Sequence, residues 1–209
     1  YVGSAETDAF RYIAQAAMGL QKKYPGMCYH LFSGNLYGVT ERLDRGRDDF
    51  GIVVDPVDLS KYNYITWPYK DQWGGSMQKN SPLASKDAIR AEDLKDVPLI
   101  ISRQAVGQDL SQNAFGMWYG NSYEKLNIVA TYTLAFNPFI MAREGFGYVV
   151  GFERMINTAT ENNLPFRPLE PVLESGRHII WKKYQVFSPA AELFLQEIKD
   201  RFAVHKKPS

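Results

Sequence analysis

The chain has 209 residues, 45% hydrophobic and 22% charged, which is enough apolar material for one large core or two small ones and excludes a disordered protein. Lys and Arg total 24 against 23 Asp and Glu, a net charge of +1 with no stripe of cations, so nucleic-acid contact by this segment is unsupported. No apolar run has the length of a membrane span and no signal peptide opens the sequence; Tyr1 is not an initiator methionine, so the chain reads as a fragment or a processed product.

From the amino end, Tyr1 to Ser4 suits a short strand and Ala5-Glu6-Thr7-Asp8 a polar turn. Phe10, Ile13, Ala17 and Leu20 then recur at helical spacing, with Thr7 or Asp8 placed to cap and Tyr24-Pro25-Gly26 placed to stop the helix. Met27 to Phe32 reads as the next strand, and its lone Cys28 as a buried small hydrophobe in a reducing compartment. A second polar turn, Ser33-Gly34-Asn35, leads into a short helix marked by Leu36, Val39 and Leu43 and closed by Gly46, and Phe50 to Val54 follows as a strand. The order is βαβαβ, with polar turns at strand ends. In open α/β sheets ligands sit outside the carboxyl ends of strands, so both turns belong to one candidate rim.

Composition shifts near Pro68-Tyr69-Lys70-Asp71, after a strand-like Tyr62 to Trp67. The segment from Trp73 reads as strand, turn, a short helix from Ile89 to Asp96, and a strand over Val97 to Ile101, which ends in a third polar turn, Ser102-Arg103-Gln104. Residues 105 to 125 have weak periodicity and suit a helix and a loop. Asn127 to Gly151 spells a complete βαβ unit: strand at Ile128 to Thr131, turn at Thr131-Tyr132-Thr133, helix from Ala135 to Arg143, Gly145 as its stop, and a strand from Tyr148. The turn faces a helix N-terminus, where free N–H groups favour polar or anionic small molecules. Asn137-Pro138 reads as a helix-start feature. An Asn/Thr-rich connection over Asn157 to Asn163, a Pro-punctuated stretch, a strand at His178 to Lys182 and a helix begun by Ser188-Pro189 complete the chain.

Enzyme readings fare poorly. His30 and His178 fall in expected strands and His205 in a tail, without the Cys or carboxylate spacing of a metal site, so neither metal nor cofactor is expected. There is no Gly-x-Ser-x-Gly elbow, Walker A loop or dinucleotide fingerprint, and Gly145-x-Gly147 follows a helix rather than opening one. Trp67, Trp73, Trp118 and Trp181 read as core or rim aromatics.

Five segments in order carry a family resemblance: Val2-Gly3-Ser4, Leu43 through Ile52 (LDRGRDDFGI), Ser81-Pro82-Leu83-Ala84, Asp93 through Ile100 (DLKDVPLI) and Glu144-Gly145-Phe146-Gly147-Tyr148. Together they resemble the effector-binding (substrate-binding) domain of LysR-type transcriptional regulators over nearly the whole chain. The resemblance implies an α/β, type II periplasmic-binding-protein-like fold, with two α/β subdomains joined by two crossover strands and a ligand cleft between them. Residues 1–68 and 153–209 would build the first subdomain and 69–152 the second. The family's N-terminal winged helix-turn-helix has no counterpart here. The family pairs these domains antiparallel, which places Phe10 to Tyr24 of one copy beside about Ala135 to Glu144 of the other. This implies a homodimer, or a tetramer at full length, in the cytoplasm, touching DNA only through the missing domain; Ala16 would lie on the outward side of the first helix.

Carried over by residue, the implied effector-binding positions are Ser4, Glu6 and Thr7, then Ser33 and Asn35, then Ser102 and Arg103, and finally Thr131 and Thr133. Hydroxyls, an amide and a guanidinium at strand ends can satisfy a small polar ligand. The same Ser, Thr and Asn residues are equally at home as helix caps and turn formers. Glu6 would repel an anionic effector unless Arg103 or the helix ends offset it. Two other readings share the fold: a secreted solute-binding protein of a transporter, and a catalytic descendant, which would need a titratable pair beyond Glu6.

Overall fold

A computed structural model describes residues 1–106, 113–120, 122–155 and 164–204. In chain order the elements are β1 (Val2–Ser4), α1 (Phe10–Lys23), β2 (Leu31–Ser33), α2 (Leu36–Asp44), β3 (Phe50–Val54), β4 (Tyr62–Thr66), β5 (Asp71–Ser76), β6 (Leu99–Ser102), α3 (Ala114–Tyr119), β7 (Ile128–Tyr132), α4 (Phe136–Arg143), β8 (Tyr148–Phe152), β9 (Phe166–Pro168), β10 (Glu174–Ser175), β11 (Arg177–Lys182) and α5 (Pro189–Val204). The expected connection at Asn157 to Asn163 and His205 lie outside the described residues. The chain divides into two compact units, Tyr1–Lys70 with Gly176–Ser209, and Asp71–Ser175.

The first unit holds a five-stranded sheet in the order β2-β1-β3-β11-β4. β1 pairs parallel with β2 and β3, whereas β11 runs antiparallel to β3 and β4. Strand alternation serves both faces. Phe50, Ile52 and Ile179 join the cluster around Ile13, Leu20, Phe194 and Ile198 of α1 and α5. Val53 and Ile180 instead join Val39 and Leu43 of α2. Helix ends follow the residues that favour them. Gly46 (φ 67°) and Gly145 (φ 81°) take the left-handed conformation that closes α2 and α4, with the paired backbone bonds Arg47 N to Arg42 O and Phe146 N to Met141 O.

Two expectations for this unit are corrected. The core face of α1 is Ile13, Ala16 and Leu20, with Ala16 fully buried and Ala17 only half-buried. At 100° per residue Ala16 falls closer than Ala17 to the Ile13–Leu20 line once Ala9 joins the face. Ala16 therefore points inward. The strand expected over Met27 to Phe32 spans only Leu31–Ser33, because β1 offers a three-residue partner. Cys28 lies ahead of it and is exposed rather than buried.

The second unit holds a six-stranded sheet, β10-β5-β8-β6-β7, with β9 also pairing β5. β6 lies between β7 and β8 and is parallel to both, so the βαβ unit crosses over one strand. One face packs on α4 through Ile100, Val149, Phe139 and Ala142. The other carries Leu99, Ile101 and Val150 against Trp73, Met77, Leu94 and Phe115. The helix expected over Ile89 to Asp96 is a single 3-10 turn, Ala91–Leu94, and Pro82–Ser85 forms another. The chain returns to the first unit after Ser175 rather than after residue 152, because β9 and β10 both hydrogen-bond to β5.

Candidate functional site

Parallel pairing brings the candidate residues of each unit to one rim. In the first unit Ser4 and Ser33 are register partners at the carboxyl ends of β1 and β2, and the Gly34 N–H donates to Ser4 O at 2.9 Å. Ser4 is buried and its hydroxyl donates to Ala5 O at 2.7 Å. Thr7 opens a tightened first turn of α1, where its Oγ1 accepts from the Ala9 N–H at 3.3 Å. Asn35 caps α2 by accepting from the Gly38 N–H at 3.0 Å. A local turn bond thus occupies Thr7, and capping occupies one end of the Asn35 amide. Glu6 is half-buried, and Ser33 is exposed.

In the second unit Ser102 is the register partner of Tyr132 at the ends of β6 and β7, and Ile101 is the partner of Thr131. Thr131 and Thr133 are exposed, and Ser102 is half-buried. Tyr132 between the threonines turns inward and donates its hydroxyl to Val150 O at 2.9 Å. Arg103 is exposed and begins a 3-10 turn, Arg103–Val106. The same rim carries exposed Leu134 and Phe136, to which periodicity assigns no role. An apolar pair lying off both the strand's and the helix's buried face is the signal that marks them.

The supporting network explains motif residues that the sequence leaves without a part. Asp48, whose side chain is 1% exposed, receives both Arg42 Nε and Arg42 Nη2, at 2.8 and 2.9 Å, and the guanidinium lies over the Phe32 ring. A Cβ on Gly3 would stand 2.8 Å from Asp48 Oδ2, so only glycine lets this carboxylate pack on β1. Burial, with the neighbouring Asp44 carboxylate, pushes the Tyr62 phenol well above its ordinary pKa, and its hydroxyl donates to Asp44 at 2.9 Å. The Leu43-to-Ile52 motif is scaffolding for β1 and β2.

One arrangement has the pattern of a hydrolytic triad. His178 Nε2 lies 2.9 Å from Asp55 Oδ1, and His178 Nδ1 lies 3.0 Å from Thr66 Oγ1. The Asp55 carboxylate only accepts, so Nε2 is the donor of that bond. Register accounts for the meeting without catalysis: His178 and Thr66 are cross-strand partners on β11 and β4. Among the described residues no group of three or more His, Cys, Asp or Glu could hold a metal ion. No helix there is long and apolar enough to cross a membrane.

Comparison with known proteins supplies the family. Residues 1–203 match the LysR substrate binding domain. The uncharacterized HTH-type transcriptional regulator YvbU of Bacillus subtilis (strain 168) is 24% identical over 206 residues, covering 97% of this chain and 67% of that protein. The effector binding domain of QuiR in complex with shikimate aligns with a TM-score of 0.78 at 14% identity, covering 98% of this chain and 96% of that one. The regulatory domain of CcmR from Synechocystis PCC6803, in complex with 2-PG, aligns with a TM-score of 0.74 at 18% identity, covering 99% and 96%. The two sheets have the type II periplasmic-binding-protein-like fold of these domains. The matching family model and the curated relative are those of transcriptional regulators. The chain belongs to the LysR substrate-binding domain family and is the effector-binding domain of a LysR-type regulator.

Proposed function

We infer that the domain binds a small polar metabolite through strand-end polar groups, and that occupancy controls how the full-length regulator uses a DNA-binding domain outside this chain. The observation that carries this reading is the register of the parallel strands, which aligns Ser4 with Ser33 in one unit and Ser102 with Tyr132 in the other. Ser33, Ser102, Arg103, Thr131 and Thr133 supply the ligand's polar partners. Ser4, Glu6, Thr7 and Asn35 shape the first rim, because local bonds already engage Ser4, Thr7 and Asn35. Shikimate in QuiR and 2-PG in CcmR support a polar effector of this size. The Arg103 cation and the α4 N-terminus favour a carboxylate or phosphate, and Glu6 sets the limit on its charge. The domain senses rather than catalyses, and it works in the cytoplasm.

A screen of polar metabolites by thermal shift tests the reading. A ligand at about a hundred times its Kd adds roughly 2.7 kcal/mol, and each kcal/mol raises the Tm of a domain of this size by about 2 to 4 °C. Ser33→Ala, Ser102→Ala and Thr133→Val each remove one hydroxyl contact and should weaken a true effector by roughly two- to tenfold. Full affinity retained in all three variants would remove these rims from the site.

The domain also pairs with a second copy through the outer side of α1. Met18 is 58% exposed there, so Met18→Glu should shift sedimentation toward monomer while circular dichroism stays unchanged. An unchanged mass would rule this face out.

A further inference from the structure

The first unit carries a cavity at the opposite end of its strands from the rim described above. It is lined by residues at the amino ends of β1, β2 and β3, among them Val2, His30 and Phe50, and by Ala190, Ala191 and Phe194 of α5. Its volume is about 320 Å³. Val2, Phe50, Ala191 and Phe194 are buried and apolar and form the floor. Cys28, His30 and Ser188 are exposed and stand at the mouth.

Size and chemistry restrict the occupant. A cavity of about 150 Å³ already holds benzene, so this one has room for a monocyclic or bicyclic molecule. Some of the side chains at the mouth are already engaged. The Tyr29 hydroxyl contacts Met27 Sδ at 2.9 Å, Ser188 Oγ accepts from the Ala191 N–H at 3.2 Å, and the His30 ring stacks on Tyr1 at 4.5 Å between centroids. Asp49, the one carboxylate of the lining, is paired with the Tyr1 ammonium at 2.8 Å, so the two together present no net charge to an occupant. An apolar floor with few polar groups at its edge is the usual make-up of a small-molecule site.

We propose that this cavity is a second ligand site of the domain, separate from the strand-end rims, and that it takes a small neutral aromatic molecule. Its aromatic body lies against the Phe50 and Phe194 pair, whose ring centroids are 5.2 Å apart, and its polar end faces the mouth at Cys28 and His30. The site does not depend on the effector reading, since it lies wholly within one unit and uses none of the rim residues.

Cys28 is the only cysteine of the chain, and it lines the mouth, so it reports on occupancy. Two probes, benzyl 2-pyridyl disulfide and hydroxyethyl 2-pyridyl disulfide, are compared at Cys28 and on glutathione. In each reaction the thiolate attacks the sulfur bearing the benzyl or hydroxyethyl group, the new S–S bond forms, the old one breaks, and the electron pair leaves on 2-thiopyridone, whose absorbance gives the rate. The benzyl-to-hydroxyethyl rate ratio at Cys28 should exceed that for glutathione at least fivefold, and 1 mM indole should slow labelling by the hydroxyethyl probe at least twofold. Ala190→Trp, which fills the mouth from an exposed position, should return the ratio to the glutathione value, whereas Ala190→Ser should leave it raised. A ratio equal to that of glutathione in the unaltered protein, no protection by indole, or a raised ratio in a folded Ala190→Trp variant overturns the proposal.

Discussion

The two units cover their sheets by different means. In the first, α1 and α5 lie on one face and α2 on the other, and periodic apolar side chains do the covering. In the second, only the α4 face is of that kind. Its other face is closed by aromatic side chains and 3-10 turns: Trp73 stacks with Phe115, Phe115 with Trp118, and Pro82–Ser85, Ala91–Leu94 and Tyr123–Lys125 fill the gaps. Such turns lack the continuous bond ladder of an α-helix, so side chains hold them in place. Ser81 donates to the Tyr148 hydroxyl at 2.7 Å, Arg90 Nε pairs with Glu170 at 2.8 Å, and Arg167 Nη2 reaches Ala84 O at 2.6 Å. The first unit rests on a periodic hydrophobic pattern, whereas this face of the second packs apolar side chains from scattered turns that polar contacts distant in sequence help to hold.

Three substitutions break or sharpen that contrast. Ala16→Glu strikes the patterned unit at its fully buried helix face, where an unpaired carboxylate has no partner. A loss of about 4 kcal/mol is expected, a Tm lower by roughly 8 to 16 °C, with amide exchange rising in α1, α5 and β3 first. A small uniform loss would mean that the α1 face is less tightly packed than its burial indicates.

Asn113→Ala strikes the polar contacts of the second unit. Its Oδ1 accepts from the Gly116 N–H at 2.9 Å, its Nδ2 donates to Ala105 O, and Tyr123 donates to the same carbonyl, all out of solvent. Removing the amide leaves a buried N–H unpaired and should cost about 1 to 3 kcal/mol, read by denaturant unfolding. Exchange protection should fall in α3 and β6 and hold in the first unit. Equal loss in both units would show that they unfold as one.

The smallest effect is a pH dependence. Burial opposes ionisation of Asp93, yet its bonds to Lys86 and the Arg90 N–H, with both cations nearby, hold its pKa below the usual 3.8. A depressed folded pKa contributes stability that is fully present above about pH 4 and is lost as pH falls through the folded value. Asp93→Asn should therefore lower stability at neutral pH and flatten the acid limb of the unfolding curve. An unchanged acid limb would remove Asp93 from the account.

Sequence alone determined much of the first unit and the βαβ unit of the second. Helical spacing in α1, glycine at residues 46 and 145, and the β-branched run at Phe50–Val54 act through neighbours a few residues away, so their consequences are local and readable. The polar strand ends at Ser4, Ser33, Ser102 and Thr131 were readable for the same reason. Tertiary structure alone decided the rest. Which side of α1 faces inward depended on where the sheet and α5 lie, and so Ala16 rather than Ala17 is buried. The short β2, with Cys28 left exposed, followed from the length of β1. The return point after Ser175 followed from β9 and β10 pairing with β5, about ninety to a hundred residues earlier in the chain. Thr7 and Asn35 bond to their own helix starts, which local sequence allows but does not require. Periodicity reports which side chains share a face; what that face meets is settled only when distant segments compete for it.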